Sequence, residues 1–415
     1  MVDERKVPEG YKVTEVGVIP EDWEIVPIGD IFKFKNGLNK AKQFFGEGTP
    51  IVNYMDVYKN RGICFKDIRG KVTLSSNELA NYNVQKGDVF FTRTSETPDE
   101  IGITAVLLDE PQNTTFSGFI LRARPVVDVL DIDYKRYCFS ADAVRKEIIS
   151  KCTYTTRALT NGRVLSKVNI FVPSKPEQKS IAEALSDTDN LIQSLENLID
   201  KKKKIKQGAM QQLLTGKKRL PGFSGEWEHR NVESFGEIIT GGTPPTGVKA
   251  YWNGSIPWVT PTDITSTKNI YTTDRKITNT GLSKLRKLPK NSVLITCIAS
   301  IGKNAVIKKD GACNQQINAI IPSNGYDSDF LYYLFESNKS YLLSNAGITA
   351  TNIISKKDFA LIEFLVPKLD EQKAIAQVLS DMDAEIEVLE EKLEKYKTIK
   401  QGMMQELLTG RIRLI

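Results

Sequence analysis

The hydrophobic pattern singles out two long stretches, from Glu177 to Leu220 and from Glu371 to Leu414, in which apolar residues recur in steps of three and four. Such steps place apolar side chains along one stripe of a helix, and over about five heptads they are typical of a coiled-coil seam. The predicted seam positions are Ile181, Leu185, Ile192, Leu195 and Ile199 in the first stretch and Ile375, Leu379, Met382, Ile386, Leu389 and Leu393 in the second.

The two helical stretches are copies of each other, displaced by 371 − 177 = 194 residues. More than half of their aligned positions are identical without a gap. This period is far longer than the repeats of about 20–50 residues that build solenoids. It indicates one large unit, a globular region followed by a long helix, that is used twice. The first helix is expected to begin with a capping box of Ser174 and Glu177, and glycines Gly216 and Gly410 are expected to end the two helices.

Short apolar runs fill the regions that precede the two helices. Runs such as Val89-Phe90-Phe91 are rich in β-branched and aromatic residues and are separated by Gly, Pro, Asn and Asp, as strands and turns are. The stretch from Tyr134 to Lys151 has helical spacing. The chain is therefore predicted to be α+β. Residues 1–173 would form the first β-rich domain with a lead-in, 174–220 the central helix, 221–367 the second β-rich domain and 368–415 the C-terminal helix.

The two globular regions share a frame but differ in their loops. Trp227 mirrors Trp23, Val293–Thr296 mirrors Val89–Thr92, and Phe235–Ile238 mirrors Ile28–Ile31. A shared scaffold with divergent loops favours two binding surfaces for two different targets. A gene duplication followed by drift is the alternative.

Charge predicts how the two helices pair. The first carries Lys201–Lys204, and the second is acidic from Glu385 to Glu394. An antiparallel pair aligned by repeat position brings Lys201 to the level of Glu390. It brings Lys204 to the level of Glu387, whereas a parallel pair would set lysines against lysines. We therefore expect an antiparallel coiled coil, and the alternative is a lysine run that is solvated or contacts DNA phosphates.

Composition sets limits on the class of protein. The formal net charge of +6 over 415 residues permits a polyanionic partner without requiring one. The five cysteines are scattered and lack CxxC spacing, which favours a reducing compartment, and His229, the only histidine, lies in a polar connector. No apolar run reaches the roughly 18 residues of a membrane-spanning helix, and the start lacks the apolar core of a signal peptide. A soluble cytoplasmic protein is expected.

Motifs of covalent chemistry are missing from the sequence. It contains no GxxxxGK[ST], GxGxxG, HExxH or paired CxxC pattern, and no Asn-Pro-Pro-aromatic or Asp-Pro-Pro-aromatic motif of amino-methylating enzymes. Isolated acidic residues such as Asp56 and Asp263 are expected to shape turns. We expect a chain that performs no catalysis.

Three stretches make the sequence similar to the specificity subunits of type I restriction-modification systems. They are Gly17 to Trp23, Gly241 to Asp263, and the twin helix that starts with Glu-Gln-Lys and ends with Leu-Leu-Thr-Gly. The likeness covers nearly the whole chain. The first region departs from the pattern, because Asn36-Gly37-Leu38-Asn39 stand where the second has Gly241-Gly242-Thr243-Pro244.

This resemblance implies that each globular domain is a target-recognition domain that reads one half of a bipartite site in double-stranded DNA. It also implies that the helix pair sets the spacer between the half-sites and docks two methylation subunits, which motor-nuclease subunits join. It implies no cofactor in this chain, because S-adenosylmethionine, ATP and Mg²⁺ would be bound by the partner subunits. The competing hypotheses are a coiled-coil scaffold that reads no DNA and an enzyme with part of its catalytic machinery in this chain.

DNA sequence is read chiefly by Arg, Lys, Asn and Gln, with Ser and Thr in support, and such residues occupy the predicted loops. The candidates in the first domain are Asn36, Asn39, Lys40, Arg93, Thr94, Ser95, Arg157, Asn161 and Arg163. Those in the second are Thr243, Lys249, Thr260, Thr262, Lys303, Asn314, Gln315, Gln316 and Asn352. We favour Arg93, Arg157 and Gln315 among them, and for every candidate ordinary surface or turn polarity is the alternative.

Overall fold

The structure is a computed structural model that describes residues 7–14, 17–347 and 352–414. The chain divides into two compact units, the first of residues 1–195 with 392–415 and the second of residues 196–391. Each unit therefore holds one globular domain, the beginning of the long helix that follows it and the end of the other long helix. The units cut across the four segments expected from the sequence, whose boundaries stay predictions. Residues 1–6 of the expected lead-in and residue 415 of the expected C-terminal helix lie outside the described residues.

Among its described residues, the first unit is built from fifteen short strands, six helices and parts of the two long helices. The strands are β1 (Tyr11–Thr14), β2 (Gly17–Pro20), β3 (Glu24–Pro27), β4 (Phe32–Asn36), β5 (Phe45–Val52), β6 (Gly62–Ile63), β7 (Lys71–Val72), β8 (Val89–Thr92), β9 (Thr94–Ser95), β10 (Thr104–Leu107), β11 (Thr115–Phe116), β12 (Ile120–Pro125), β13 (Thr153–Tyr154), β14 (Ala158–Leu159) and β15 (Asn169–Val172). The helices are α1 (Ile28–Ile31), α2 (Tyr54–Lys59), α3 (Ser76–Tyr82), α4 (Lys135–Cys138), α5 (Asp142–Lys151), α6 (Gly162–Leu165) and the first part of α7 (Lys175–Leu213).

A five-stranded sheet in the order β4-β12-β8-β10-β6 forms the centre of this unit. Its middle strand β8 is buried on both faces, which explains its unbroken apolar run. Because side chains alternate along a strand, Val89 and Phe91 enter a core that includes α5 and the start of α7. Phe90 points into a second, smaller core with Val52 and Phe116. The sheet thus lies between a large core that includes α5 and the start of α7 and a smaller core that includes Val57 of α2.

The second unit continues with strands β16 to β25 and helices α8 to α12. The strands are β16 (Glu228–Asn231), β17 (Gly236–Thr240), β18 (Trp252–Val259), β19 (Asn269–Ile270), β20 (Lys276–Ile277), β21 (Val293–Thr296), β22 (Asn304–Ile307), β23 (Ala312–Cys313), β24 (Ile317–Pro322) and β25 (Glu363–Val366). The helices are α8 (Asn279–Leu282), α9 (Ser328–Ser337), α10 (Lys339–Ser344), α11 (Lys356–Leu361) and α12 (Leu369–Leu407), of which the second unit holds the residues before 392.

The second unit repeats the topology of the first, with a five-stranded sheet in the order β17-β24-β21-β22-β19. Phe32 pairs with Pro125 in the first sheet, and Gly236 pairs with Pro322 at the matching place in the second. The displacement is 236 − 32 = 204, the same as between Trp23 and Trp227. The predicted match of Phe235–Ile238 to Ile28–Ile31 is therefore wrong by three residues. Strand pairing aligns the two domains, whereas the sequence match rested on a short apolar-Gly pattern.

The predicted helix from Tyr134 to Lys151 is interrupted. It forms as α4 and α5, with Ala141 in an extended conformation between them. The Phe139 ring enters the core, where its centroid lies 5.9 Å from that of Phe32 and 5.1 Å from that of Phe91. The helix is broken at the point where the Phe139 ring is buried in the core.

The long helices α7 and α12 each contain 39 residues. Gly216 and Gly410 follow them with φ of +70° and +69°, so the predicted glycine caps are confirmed. The capping box is only half formed. Ser174 Oγ accepts the N–H of Glu177 at 3.5 Å, but the Glu177 carboxylate turns inward and accepts the indole N–H of Trp23 at 2.9 Å.

A buried carboxylate anchors each long helix to its own domain. Glu177 is fully buried and receives two hydrogen bonds from the guanidinium of Arg413, at 2.6 and 2.9 Å. In the second unit Glu371 receives two bonds of 2.6 Å from Arg219. These arginines stand at the same position of the twin stretch, because 413 − 219 = 194. The repeated Glu and Arg residues are thus parts of one ion pair that the chain builds twice.

The neighbouring glutamine makes a second anchor in each unit. Gln178 donates to the carbonyl of Pro173 at 2.8 Å and accepts the N–H of Asp131 at 2.7 Å. Gln372 donates to Pro367 at 2.9 Å and accepts from Asp327 at 3.0 Å. Both amides are buried and reach from the helix start to a loop of the domain. The repeated Glu-Gln dipeptide is therefore explained by packing.

Contacts within each unit show that the long helices run antiparallel. In the second unit Lys203 pairs with Glu390 at 2.6 Å and Lys206 pairs with Asp383. Residue numbers rise along one helix as they fall along the other. In the first unit, Asp189 of α7 pairs with Lys400 of α12. The predicted antiparallel coiled coil is confirmed.

The predicted alignment is close, since Lys203 rather than Lys201 meets Glu390, but the lysines that form the ion pairs differ from those expected. Lys202 and Lys203 meet the acidic residues Glu385 and Glu390, whereas Lys204 pairs with Asp200 on its own helix. Residues three and four positions after the buried seam residue Ile199 share its face of the helix. Lys202 and Lys203 occupy those positions and Lys201 and Lys204 do not.

Most of the predicted seam residues are buried in the structure. Ile192, Met382 and Leu389 are half-buried, and the other predicted seam residues are buried. Ile181 and Leu185 belong to the large core of the first domain, and Ile375 and Leu379 to that of the second. The first turns of each seam therefore close a domain core as well as the coiled coil.

The described cysteines are unpaired thiols. Cys138, Cys297 and Cys313 are buried, and burial raises the pKa of the Cys297 and Cys313 thiols to about 12. They behave as small core residues. His229 is exposed on β16, as expected from its polar surroundings. None of the helices in the described part of the chain combines the length and apolar character needed to cross a membrane.

Candidate nucleic-acid interface

One pair of parallel strands in each domain brings distant loops together. In the second unit β18 runs parallel to β23, with Val259 opposite Cys313. Parallel neighbours end at the same edge of a sheet, so the loop that starts at Thr260 lies beside the loop that starts at Asn314. The N–H of Asn314 donates to the Val259 carbonyl at 2.9 Å and fixes this arrangement. In the first unit β5 and β11 are paired in the same way.

A cavity of about 590 Å³ opens at this edge of the second unit. The predicted DNA-contacting residues that line it are Thr243, Thr260, Thr262, Asn314, Gln315 and Gln316. Its other lining residues are Trp258, Pro261, Asp263, Asp274 and Arg275. The fold therefore gathers polar side chains from three separate loops around one concave surface.

Hydrogen bonds order the amide side chains of this cavity. Thr243 Oγ1 donates to Gln315 Oε1 at 2.7 Å. Asn314 Nδ2 donates to Gln316 Oε1 at 3.0 Å, and Asn314 itself is buried. Fixed amides that present both donors and acceptors are suited to the edge of adenine in the major groove. The cavity thus has the side-chain chemistry of a base-reading surface.

Three other predicted residues of the second domain are exposed but do not line the cavity. The Lys303 ammonium lies 3.5 Å from the carbonyl of Pro261, at the cavity's margin. Lys249 lies on a short 3₁₀ turn from Lys249 to Tyr251. The Asn352 carbonyl accepts the N–H of Ala299 at 3.1 Å. DNA contact by these three residues remains a prediction. Lys303 lies beside Pro261, which lines the cavity.

In each domain an aspartate stabilises a turn at the loop edge by accepting hydrogen bonds from a residue three positions earlier. Asp263 accepts the N–H of Thr260 at 2.8 Å and its hydroxyl at 2.6 Å. Asp56 accepts the N–H of Asn53 at 2.8 Å in the first domain, and burial raises the pKa of the Asp56 carboxyl. These contacts fit the expectation that the isolated acids shape turns.

In the first domain the predicted loops meet around Arg93. Its guanidinium donates to the Gly118 carbonyl at 3.2 Å, and its own carbonyl accepts the N–H of Thr160 at 3.0 Å. Gly118 in turn donates to the carbonyl of Leu38 at 2.8 Å. Arg93 is half-buried, so its position is fixed while part of its guanidinium faces solvent.

The other candidates of the first domain differ in their burial and in whether their side chains already make hydrogen bonds within the protein. Ser95 is buried with its hydroxyl 3.4 Å from Glu100, and Asn161 caps α6 by accepting the N–H of Val164 at 3.1 Å. Both side chains stabilise loops in this structure. Thr94 is half-buried, and the exposed candidates are Asn36, Asn39, Arg157 and Arg163.

Lys40 is held by an ion pair rather than left free. Its ammonium lies 2.8 Å from Glu78 and donates to the carbonyl of Thr73 at 2.8 Å. The hydrogen bond from Lys40, followed by bonds from Ser75, lowers the pKa of the Glu78 carboxyl from 4.5 to about 2. A phosphate would have to compete with this carboxylate for the ammonium.

Changing Lys40 to Met is expected to raise the Glu78 pKa toward 4.5, with a carbon-13 NMR titration as the measurement. Because the folded-state pKa lies below the unfolded one, the interactions of Glu78 stabilise the fold above pH 4.5. That stabilisation is lost as the pH falls from 4.5 to about 2. Lys42→Met, at a neighbouring exposed lysine, is the control. An unchanged Glu78 titration in the Lys40 variant would contradict the pairing.

Two exposed side chains at these edges were not among the residues predicted from the sequence. Phe119, next to Gly118, is 67% exposed. Arg275 lines the cavity with its guanidinium 3.9 Å from the centroid of the Trp252 ring. The two tryptophans of the Tyr251–Val259 stretch were the signal for Arg275, but only the fold shows that they lie beneath an arginine.

The same loop therefore carries different chemistry in the two domains. After β11 it reads Ser117-Gly118-Phe119, and after β23 it reads Asn314-Gln315-Gln316. An aromatic ring suits apolar contact with a thymine methyl, whereas amides suit donor and acceptor groups on base edges. The two edges would select different bases.

Comparison with known proteins identifies the family. The type I restriction modification DNA specificity domain matches this chain twice, over residues 20–207 and 224–398. A putative type I restriction enzyme specificity subunit, MjaX, from Methanocaldococcus jannaschii is 28% identical over 98% of this chain and 97% of its own length. The EcoR124I/EcoR124II specificity subunit of Escherichia coli is 28% identical over 56% of this chain and 62% of its own.

Solved structures show the same fold at low sequence identity. The type I restriction-modification S subunit from M. genitalium has a TM-score of 0.58 at 13% identity and covers 93% of this chain and 96% of its own. The specificity subunit from Thermoanaerobacter tengcongensis has a TM-score of 0.51 at 15% identity, with coverage of 95% and 98%. With the family domain matched twice, the chain belongs to the family of type I restriction-modification DNA specificity subunits.

Proposed function

We propose that each domain of this chain reads one half of a bipartite site in double-stranded DNA. The observation that carries the proposal is that two domains of one topology present the same loop edge with different side chains. Polar residues converge on this edge in each domain, as base reading in the major groove requires. A duplicated scaffold with two different readers recognises a sequence with two different halves.

The chain supplies specificity, and its partners supply chemistry. Two methylation subunits would bind S-adenosylmethionine, and motor-nuclease subunits would bind ATP and Mg²⁺, in the cytoplasm where the DNA lies. The specificity family to which the chain belongs supports this division of labour. Among the described residues, no group of three or more His, Cys, Asp or Glu side chains is arranged to hold a metal ion.

The helix pair would set the spacer and dock the methylation subunits. In the second unit it exposes apolar side chains at Leu198, Ile205 and Val388, with exposures of 38%, 48% and 62%. Leu198 and Ile205 are seven residues apart and therefore share one face of α7. Partner helices that pack on this face would remove these side chains from water.

Selection of DNA from a random library tests the proposal. The chain is combined with its two methylation subunits, bound duplexes are recovered, and their sequences are compared with the input. We expect enrichment of one bipartite sequence and an affinity that falls steeply with salt. The methylation subunits without this chain are the control. Recovery of sequences no different from the input would overturn the proposal and favour a scaffold that reads no DNA.

Inserting seven residues into each long helix, after Leu195 in α7 and after Glu391 in α12, is expected to lengthen the spacer by about three base pairs. Seven residues add about 10 Å to a helix, and successive base pairs are about 3.4 Å apart. The half-sites should not change, because the domain loops are untouched. The selected DNA sequences are the measurement. A seven-residue insertion in the exposed connector at Gly222 is the control, and an unchanged spacer in the helix variant would contradict the role in spacing.

A further inference from the structure

We infer that Arg275 reads a guanine in the half-site of the second domain. The inference rests on the proposed DNA-reading function and assigns to that function one residue and one base. Arg275 is exposed at the surface and lines the 590 Å³ cavity at the loop edge.

Two tryptophan rings hold the Arg275 guanidinium in place. The guanidinium carbon lies 3.9 Å from the centroid of the Trp252 ring and 4.9 Å from that of Trp258. The two rings are 5.0 Å apart and nearly perpendicular, at 85°. An arginine stacked on aromatic rings keeps its planar fork in one orientation, which lowers the entropy lost when the fork binds.

The tryptophans are themselves fixed. Trp258 is 3% exposed and its indole N–H donates to the carbonyl of Gly242 at 2.9 Å. Trp252 is 9% exposed and donates to the carbonyl of Pro245 at 3.3 Å. The backbone of Arg275 is tied to the same strand, because its carbonyl accepts the N–H of Trp258 at 3.4 Å. The two tryptophans and the backbone of Arg275 are therefore held in place by contacts within the protein itself.

The hydrogen-bonding edge of the guanidinium is open. In residues 7–14, 17–347 and 352–414, its nitrogens donate no hydrogen bond and form no ion pair with a carboxylate. The side chain therefore keeps its N–H donors for a ligand. Arginine that donates twice to guanine O6 and N7 is the commonest specific contact in the major groove.

The surroundings of Arg275 favour a base over a phosphate. Two carboxylates, Asp263 and Asp274, line the same cavity. They would repel a phosphate, whereas the edge of guanine carries no net charge. The remaining polar lining is neutral and includes Gln315 and Asn314, which are side chains of the base-reading type.

The first domain has no arginine at this position. Lys71 pairs with Pro50 in the first domain as Lys276 pairs with Pro257 in the second. The residue before the paired lysine is Gly70 in the first domain and Arg275 in the second. The guanine contact is therefore assigned to the second half-site alone.

The test compares Arg275→Ala, Arg275→Lys and a control, Arg286→Ala, each in the complex with its methylation subunits. Arg286 is an exposed arginine of the same unit that pairs with Glu237 at 3.6 Å. Selected DNA gives the preferred base at every position. We expect both Arg275 variants to lose preference for guanine at one position of one half-site by about tenfold or more. Lysine keeps the charge but lacks the two-pronged fork.

A guanine analogue then tests whether Arg275 contacts the N7 atom of that guanine. Replacing that guanine with 7-deazaguanine removes N7, and it should weaken binding by the unaltered protein and by Arg286→Ala but not by Arg275→Ala. Unchanged base preferences at the other positions of the second half-site show that the second domain of the variants remains folded. If Arg275→Ala weakened binding to all sequences equally, the arginine would contact phosphate and the inference would be overturned. Unchanged base preference, or a second half-site without a guanine pair, would overturn it too. Absence of any bipartite preference in the unaltered complex would instead overturn the proposed function.

Discussion

Replacing residues 226–367 with the recognition domain of another type I specificity subunit is expected to change one half of the DNA site and leave the other half unchanged. The replaced segment contains the sheet and all the cavity-lining loops of the second unit. Specific and non-specific DNA affinities commonly differ by about 10³ to 10⁷. The half-site read by the new domain should therefore switch completely, as judged by the sequences that the complex methylates.

The donor domain must keep the contacts that anchor it to the helices. Tyr333 donates to Asp383 at 2.6 Å, and the backbone of Asp327 donates to Gln372 at 3.0 Å. The Arg219 guanidinium also lies over the Trp227 ring. A chimera that retains equivalents of Tyr333 and Trp227 is the informative variant, and reinsertion of the chain's own segment between the same junctions is its control. A change in both half-sites, or in neither, would contradict independent reading by the two domains.

Changing Arg413 to Ala is expected to lower the free energy of unfolding by about 3–5 kcal/mol, which is the usual cost of removing one partner of a buried ion pair. The substitution leaves the fully buried carboxylate of Glu177 without its cation. Within the part of the chain that the structure describes, only the indole N–H of Trp23 would still donate to it. The loss is large beside the total of about 5–15 kcal/mol for a domain. Urea denaturation followed by tryptophan fluorescence is the measurement.

Two other arginines complete this experiment. Arg411 is 66% exposed at its side chain and lies 3.5 Å from Glu406, so Arg411→Ala should cost less than about 1 kcal/mol. Arg219→Ala removes the matching cation from Glu371 in the second unit and should be as damaging as the Arg413 change. If Arg413→Ala and Arg411→Ala were equally stable, the buried pair would not be the anchor described.

The repeat and its helices could be predicted from sequence because they are periodic. The spacing of Ile181 and Leu185 already defines a helical stripe, and a second copy 194 residues later reinforces it. What the spacing did not show is that this stripe also packs into the first domain's core. Whether the stripe packs into a domain core depends on the surfaces that the rest of the fold places next to the helix. The local sequence pattern does not contain this information.

The direction and approximate level of the helix pairing were predicted, but not the lysines that form the ion pairs. The charges of the two helices indicated antiparallel pairing, whereas the partners were chosen by the seam, which puts Lys202 and Lys203 beside Ile199. Likewise Glu177 was predicted as half of a capping box, because a box needs only residues three apart. Its partner Arg413 lies 413 − 177 = 236 residues away, beyond any local rule.

In the candidate interface, too, the types of residue could be predicted from the local sequence, whereas contacts between residues distant in sequence could not. Loop residues such as Gln315 and Thr243 could be selected by type, and the fold brings them to one cavity. Ser95 could not be distinguished from them, because its burial depends on a hairpin contributed by residues 153–159. Arg275 was missed for the same kind of reason, because its stacking partner Trp252 lies 275 − 252 = 23 residues earlier.

This chain alone is expected to set a two-part DNA sequence for its complex. The test is sequencing of methylated bases in the genome of cells that carry the chain with its methylation subunits, beside cells that carry those subunits alone. We expect one motif of two defined halves separated by a spacer of fixed length, present only when this chain is present. Methylation at undefined sequences, or the same motif without this chain, would contradict it.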